Sequence, residues 1–158
     1  MTKILLSVHV LAAVIAVGPV TVAASMFPTT LRRSLGDPGD SDARATLRTL
    51  HRICRVYAGI GIAVPVFGFA TAGSLGVLGD AWLIVSILLT ATAAGVLALL
   101  ILPAQDRALA ETRGSASSSS APTPVVPGRL AMLTGVFNLL WTTVTVLMII
   151  RPGSTTGA

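Results

Sequence analysis

The sequence predicts an all-α integral membrane protein, a four-helix bundle. Two compositional facts and one pattern support this. Hydrophobic residues make up 53% of the chain against 11% charged, and the mean hydropathy is +0.85, whereas a soluble domain carries roughly a quarter charged residues. Four uncharged apolar runs are each long enough to cross ~30 Å of hydrocarbon, which takes about 20 residues in a helix. Backbone groups in lipid must be satisfied within the segment, so each run is a helix or a barrel strand, and these runs lack a strand's polar–apolar alternation.

The first span, core 4–26, lies between Lys3 and Arg32, and the second, core 56–76, between Arg55 and Asp80. The third, core 81–103, follows Asp80, and the fourth, core 130–150, separates Arg129 from Arg151. Connections 27–55 and 104–129 then share one side of the membrane and hold nine of the eleven basic residues. The positive-inside rule makes that side cytoplasmic and leaves both termini outside, in a plasma membrane. Lys3, the apolar run and Val22-Ala23-Ala24 also read as a secretory signal, but cleavage there would place the six arginines of the first connection outside.

A net charge of +5 and a pI of 11.1 raise the question of nucleic acid. The basic residues are not interleaved with stacking aromatics, which argues against it. The single cysteine, Cys54, has no partner for a disulfide.

Residues 27–42 are rich in Pro, Gly and Asp and read as a loop. A helix then restarts, capped by Ser41 or Asp42. On it Arg44, Arg48, Arg52 and Arg55 recur along one face, and Ala43, Leu47, Leu50 and Cys54 line a neighbouring face. This basic stripe is suited to the lipid surface, and also to a protein partner. Residues 113–128, rich in Ser and Pro, are expected to be disordered. Small residues at Gly59 and Ala63, Gly68 and Ala72, and Ala91 and Gly95 point to spans two and three as the packing centre. Pro19 and Pro65, near mid-membrane, are expected to bend their helices.

His9 is the ionisable residue inside a span, and such residues are functional candidates. It lies roughly 8 Å below the outer hydrocarbon boundary, counting 1.5 Å per residue. The same count reaches Thr71, Ser86 and Thr145 on the other spans, so the four form a candidate polar cluster. Such a layer needs no cofactor, yet a neutral imidazole there can also ligate haem or a metal, or relay a proton. His51, among arginines at the other face, reads as a solvated, lipid-facing residue; it shares its level with Cys54, Met26 and Met132. Thr134, Asn138, Thr142 and Thr145 follow one face of the fourth span, echoed by Ser86 and Thr90 on the third. This suggests a polar seam between those spans. Trp82 and Tyr57 suit interfacial anchoring. Phosphate-loop, dinucleotide and zinc-protease motifs do not occur.

The stretch "LLSVHVLAAVIAVGP" resembles the first helix of the bacterial integral membrane proteins grouped as domain of unknown function family 2269. His9, Val10, Leu11, Ala13, Val17 and Gly18 match its pattern, while Ala16 stands where a tryptophan is common and Pro19 where a second glycine is. The resemblance implies a small bacterial multi-pass protein of no assigned activity. Similar first helices in copper-resistance domains and in haem-associated oxidases of porphyrin synthesis imply a cofactor role for His9.

These readings leave an accessory protein of a membrane complex, with the bilayer, a second copy or a larger assembly as partner. The alternatives are a haem- or metal-binding redox protein using His9, and a small carrier along the seam. No catalytic residue can be named from the sequence.

Overall fold

The computed structural model describes residues 2–112 and 125–153. Among these it is all-helical, and four rods are long and apolar enough to cross a membrane: Lys3–Gly36, Ser41–Leu75, Ala81–Thr112 and Pro127–Ile150. The first is a single helix, α1 (Thr2–Gly36). The second is α2 (Ser41–Ile60) and α3 (Ala63–Leu75); the third is α4 (Ala81–Gly95), a π-helical stretch (Val96–Ile101) and α5 (Leu102–Thr112); the fourth is α6 (Pro127–Ile150). The stretch expected to be disordered lies outside the described residues over 113–124, and Pro127 and Gly128 already belong to α6.

Three irregularities of the helices lie at prolines, each of which lacks an N–H and so releases the carbonyl four residues back. Pro65 releases Gly61 O, which accepts instead from Val64 N at 3.1 Å, and α2 and α3 separate there. The π-helical stretch ends two residues before Pro103, the kind of local adjustment that accommodates a helix proline in lipid. Pro28 releases Ala24 O, and Thr134 Oγ1 of α6 donates to it at 3.4 Å. With that carbonyl bonded and Phe27 and Leu31 buried, α1 runs on to Gly36. This corrects the loop expected over 27–42, which is confined to Asp37–Asp40. Asp40, not Ser41 or Asp42, caps α2 by accepting from Ala43 N at 2.8 Å.

The packing centre is also corrected. α1 packs against α2, α3 and α6, and α4 against α6, while α3 and α4 meet mainly around their turn. Gly59 and Gly95 have nothing within 4 Å of an added Cβ, so they hold no close helix crossing.

Three buried clusters stack along the bundle. Ala72, Trp82 and Leu83 close the terminal end, and Val20, Ala93, Leu97, Ile101 and Phe137 fill the middle. The third cluster gathers Ala24, Phe27 and Leu31 of α1, Leu47, Leu50 and Cys54 of α2, and Ala108 and Leu109 of α5. Measured from the terminal ends, about 20 residues of helix span the hydrocarbon, which brings the far boundary near Ala23, Val56, Leu100 and Ala131. The third cluster lies beyond it. α1, α2 and α5 are therefore each roughly 20 Å longer, at 1.5 Å per residue, than a hydrocarbon core requires, and their extra length packs as a three-helix stalk with Leu130 of α6 at its base.

Candidate functional site

The stalk holds a buried polar chain that joins α2 to α5. His51 Nδ1 lies 3.1 Å from Gln105 Oε1, and Gln105 Nε2 donates to Cys54 Sγ at 3.7 Å. A carboxamide oxygen only accepts, so His51 donates through Nδ1. Gln105 and Cys54 are fully buried and His51 is 8% exposed. Asp106 Oδ1 approaches His51 Nε2 to 3.0 Å, within ion-pair reach but off the line of a hydrogen bond. The expectation of a solvated, lipid-facing His51 is overturned: the helix phase that buries Leu47, Leu50 and Cys54 turns His51 to the same side.

Gln105 was not singled out from the sequence, because its partners are on another element. In the third rod Ala93, Leu97, Ile101 and Gln105 are all buried at four-residue spacing. Such spacing drifts around a helix of 3.6 residues per turn, and the wider i→i+5 turns of the π-helical stretch offset the drift. A run of four-spaced residues ending in an amide ahead of a charged segment was the available signal.

The predicted basic stripe is present. Arg48, Arg52 and Arg55 are exposed and Arg44 is half-buried, on a face neighbouring the buried line of Ala43, Leu47, Leu50 and Cys54. Among the described residues these four guanidiniums make no ion pair. The Asp40 carboxylate is held below its ordinary range by the Ala43 N–H, with further help from its hydrogen bond and charge contact with Arg33, which outweigh its slight desolvation. The Arg33–Asp40 pair, at 2.7 Å, ties the α1–α2 turn.

His9 faces the interior, as expected, but not toward a side-chain cluster. Its Nδ1 donates to Val64 O at 3.0 Å, and its ring lies against Gly68, where an added Cβ would sit 3.0 Å from His9 Cε1. Thr71, Ser86 and Thr145 bond instead to carbonyls of their own helices, at Phe67, Trp82 and Trp141. Short hydroxyl side chains on a helix reach their own i−4 carbonyl first, so the four residues are not bonded to one another.

The seam of α6 turns toward α1 rather than α4. Thr134 donates to Ala24 O, and Asn138 Nδ2 donates to Ser25 Oγ at 3.2 Å, leaving Asn138 Oδ1 buried and unpartnered. Phe137 and Leu147 carry the α4 contact, so the polar seam expected between spans three and four is apolar packing. Thr142 and Thr145 are exposed and line a groove of about 330 Å³ between α1 and α6, together with Val17, Thr21 and Asn138. A larger apolar groove of about 480 Å³ runs between α1 and α2, past Gly18, Pro19, Val22, Met26, Leu50 and Ile53.

Trp82, expected at the interface, is buried. Its Nε1 donates to Asp80 at 3.0 Å, and the Arg151 guanidinium stands 5.7 Å from its ring centre. No group of three or more His, Cys, Asp or Glu side chains able to hold a metal occurs among the described residues. What the geometry provides is a packed helical extension bearing arginines, one oriented buried imidazole and four rods long and apolar enough to cross a membrane. Comparison with family models, with curated proteins and with solved structures gave no match.

Proposed function

We propose that this chain is a non-catalytic accessory protein of a bacterial plasma membrane, with both termini outside and the stalk in the cytoplasm as its point of attachment to a larger assembly. One observation carries the reading. The apolar spans end near Val56, yet the helices continue for roughly 20 Å and bury Phe27, Leu31, Leu47, Leu50, Cys54 and Ala108 in a core of their own. A protein that needed only to cross the bilayer has no use for that length. A stalk that presents Arg48, Arg52 and Arg55 from a fixed helix has the rigidity of an interaction module. Membrane-impermeant maleimide applied to an Arg48→Cys variant tests the topology, and labelling confined to inverted vesicles is the expected result. Mild-detergent purification from its native membrane tests the attachment. A stoichiometric, salt-sensitive companion is expected, and a homogeneous solitary protein that turns over a substrate would overturn the reading.

One observation favours a second reading, a cofactor role for His9. Nδ1–H bonded to a backbone carbonyl is the arrangement that orients an imidazole and presents Nε2 as a ligand. His9 supplies one ligand atom, and a bis-histidine haem would need a second copy to supply the other. An absorption band or stoichiometric metal lost in His9→Ala would support this reading, and a colourless, metal-free protein would remove it.

A further inference from the structure

We propose that the arginine line of α2 is a docking surface for an acidic segment of a protein partner. The inference rests on the reading of the stalk as an extramembrane projection and names what that projection binds. Arg44, Arg48, Arg52 and Arg55 repeat at four, four and three residues, and three of them are exposed. Among the described residues no carboxylate pairs with them: Asp37 accepts from Gly39 N, and Asp42, in the first turn of α2, forms no ion pair. Asp40 is taken by Arg33 and the α2 cap, Asp106 faces His51, Asp80 accepts from Trp82, and Glu111 accepts from Val125 N. Like charges three and four residues apart destabilise a helix. Here they are held in place by the buried line of Ala43, Leu47, Leu50 and Cys54 beside them. The helix fixes the spacing of a row of planar forks, each suited to a carboxylate that can accept two parallel bonds.

Height separates a protein partner from the lipid surface. Taking Arg55 at the hydrocarbon boundary, Arg48 stands about 11 Å and Arg44 about 16 Å beyond it at 1.5 Å per residue, while the headgroup layer is only about 5–7 Å deep. Direction adds to height. Side chains on a helix lean toward its N-terminus, and the N-terminus of α2 is the tip of the stalk, so these arginines lean away from the bilayer. Anionic headgroups reach Arg55 and Arg52; the upper half of the line is left for something standing in water. Nucleic acid fits less well, because the stalk aromatic, Phe27, is buried and Tyr57 lies below Arg55, which leaves no stacking platform beside the arginines.

The test uses the full chain in zwitterionic nanodiscs and a fluorescent glutamate-rich peptide, with binding followed by anisotropy. Loss of bidentate, charge-assisted bonds predicts that Arg44→Gln/Arg48→Gln weakens binding about tenfold or more. Removing two equal charges off the line, in Arg32→Gln/Arg129→Gln, should change it by less than about threefold, as solvent-screened charges do. Because all four substituted side chains are exposed or half-buried, melting curves should match the parent and rule out misfolding. Equal losses in the two double variants would overturn the proposal by reducing it to net charge. It would equally fall if anionic nanodiscs abolished peptide binding by occupying the whole line, or if a single-stranded oligonucleotide bound more tightly than the peptide. A stalk labelled by aqueous maleimide yet unable to bind the peptide sinks this inference alone; a stalk shielded by lipid sinks the accessory reading with it.

Discussion

Gln105 Oε1 accepts from His51 Nδ1 at 3.1 Å, while the same amide donates to Cys54 Sγ, so one buried side chain of α5 satisfies two polar groups of α2. Removing it leaves both partners desolvated and unbonded. Gln105→Ala is expected to destabilise the stalk by about 1–3 kcal/mol. Replacing both members, in His51→Leu/Gln105→Leu, should recover most of the loss, since the His51 N–H is then no longer stranded and only the weakly polar Cys54 thiol loses its partner. Denaturant titration read by amide exchange in α2 and α5 checks this, and equal damage in the single and double variants would contradict it.

The contact between His9 and Gly68 predicts a coupled pair. A Cβ at position 68 would sit 3.0 Å from His9 Cε1, tighter than nine in ten Cβ contacts, so the ring must give way by a few tenths of an ångström. Gly68→Ala should therefore cost about 1–3 kcal/mol through forced displacement of the ring, whereas Gly73→Ala, with open space around it, should cost nothing measurable. In a His9→Ala background the Gly68→Ala penalty should largely vanish. Detergent-unfolding curves for the four proteins of the cycle measure the coupling directly.

Asn138 tests whether the polar seam of α6 stabilises the bundle. Its Nδ2 donates to Ser25 Oγ, but its Oδ1 is buried without a partner. Interhelical bonds of this kind average about 0.6 kcal/mol in a membrane, less than the cost of stranding a carbonyl oxygen, about 1–3 kcal/mol. Asn138→Leu is thus expected to leave stability unchanged or raise it, and Ser25→Ala to lower it slightly. A marked drop in Asn138→Leu would show that the carboxamide does more than the Ser25 bond.

The cap at Asp40 gives a pH dependence of definite sign. Its carboxyl is held below the ordinary value of 3.8, chiefly by the Ala43 N–H. A group whose pKa is depressed on folding stabilises fully above its unfolded value, and that contribution is lost as pH falls through the folded value. The start of α2 should therefore be pH-independent near neutrality and fray only below about pH 4. Asp40→Asn, which still accepts from a backbone N–H, should remove that acid step while keeping most of the cap. Amide exchange at Ala43 and Arg44 across the acid range reads it out.

Much of this architecture was legible because it rests on local pattern. The four spans follow from the length of uncharged runs, and the buried line Ala43, Leu47, Leu50 and Cys54 from helical phase. The interior direction of His9 follows from the cost of an ionisable group in lipid. What was not legible depends on groups far apart in the chain. The Phe-Pro-Thr-Thr stretch reads as a stop, yet Thr134, from α6, bonds the carbonyl that Pro28 frees, and α1 continues. His51 among arginines reads as solvated until Gln105 is brought to it. Periodicity correctly placed Thr134 and Asn138 on one face, but a period names a face and not the neighbour it meets, which is α1.

The central claim is that α2 leaves the hydrocarbon near Val56 and carries its arginines into water. A spin-label scan in lipid bilayers at exposed positions of the second rod, Arg48, Arg52, Ile60, Val66 and Phe69, tests it most directly. Collision with a water-soluble nickel complex should dominate at positions 48 and 52, and collision with oxygen at 60, 66 and 69. Oxygen-dominated contact extending to position 48 would mean that the stalk lies in lipid, and would contradict the account.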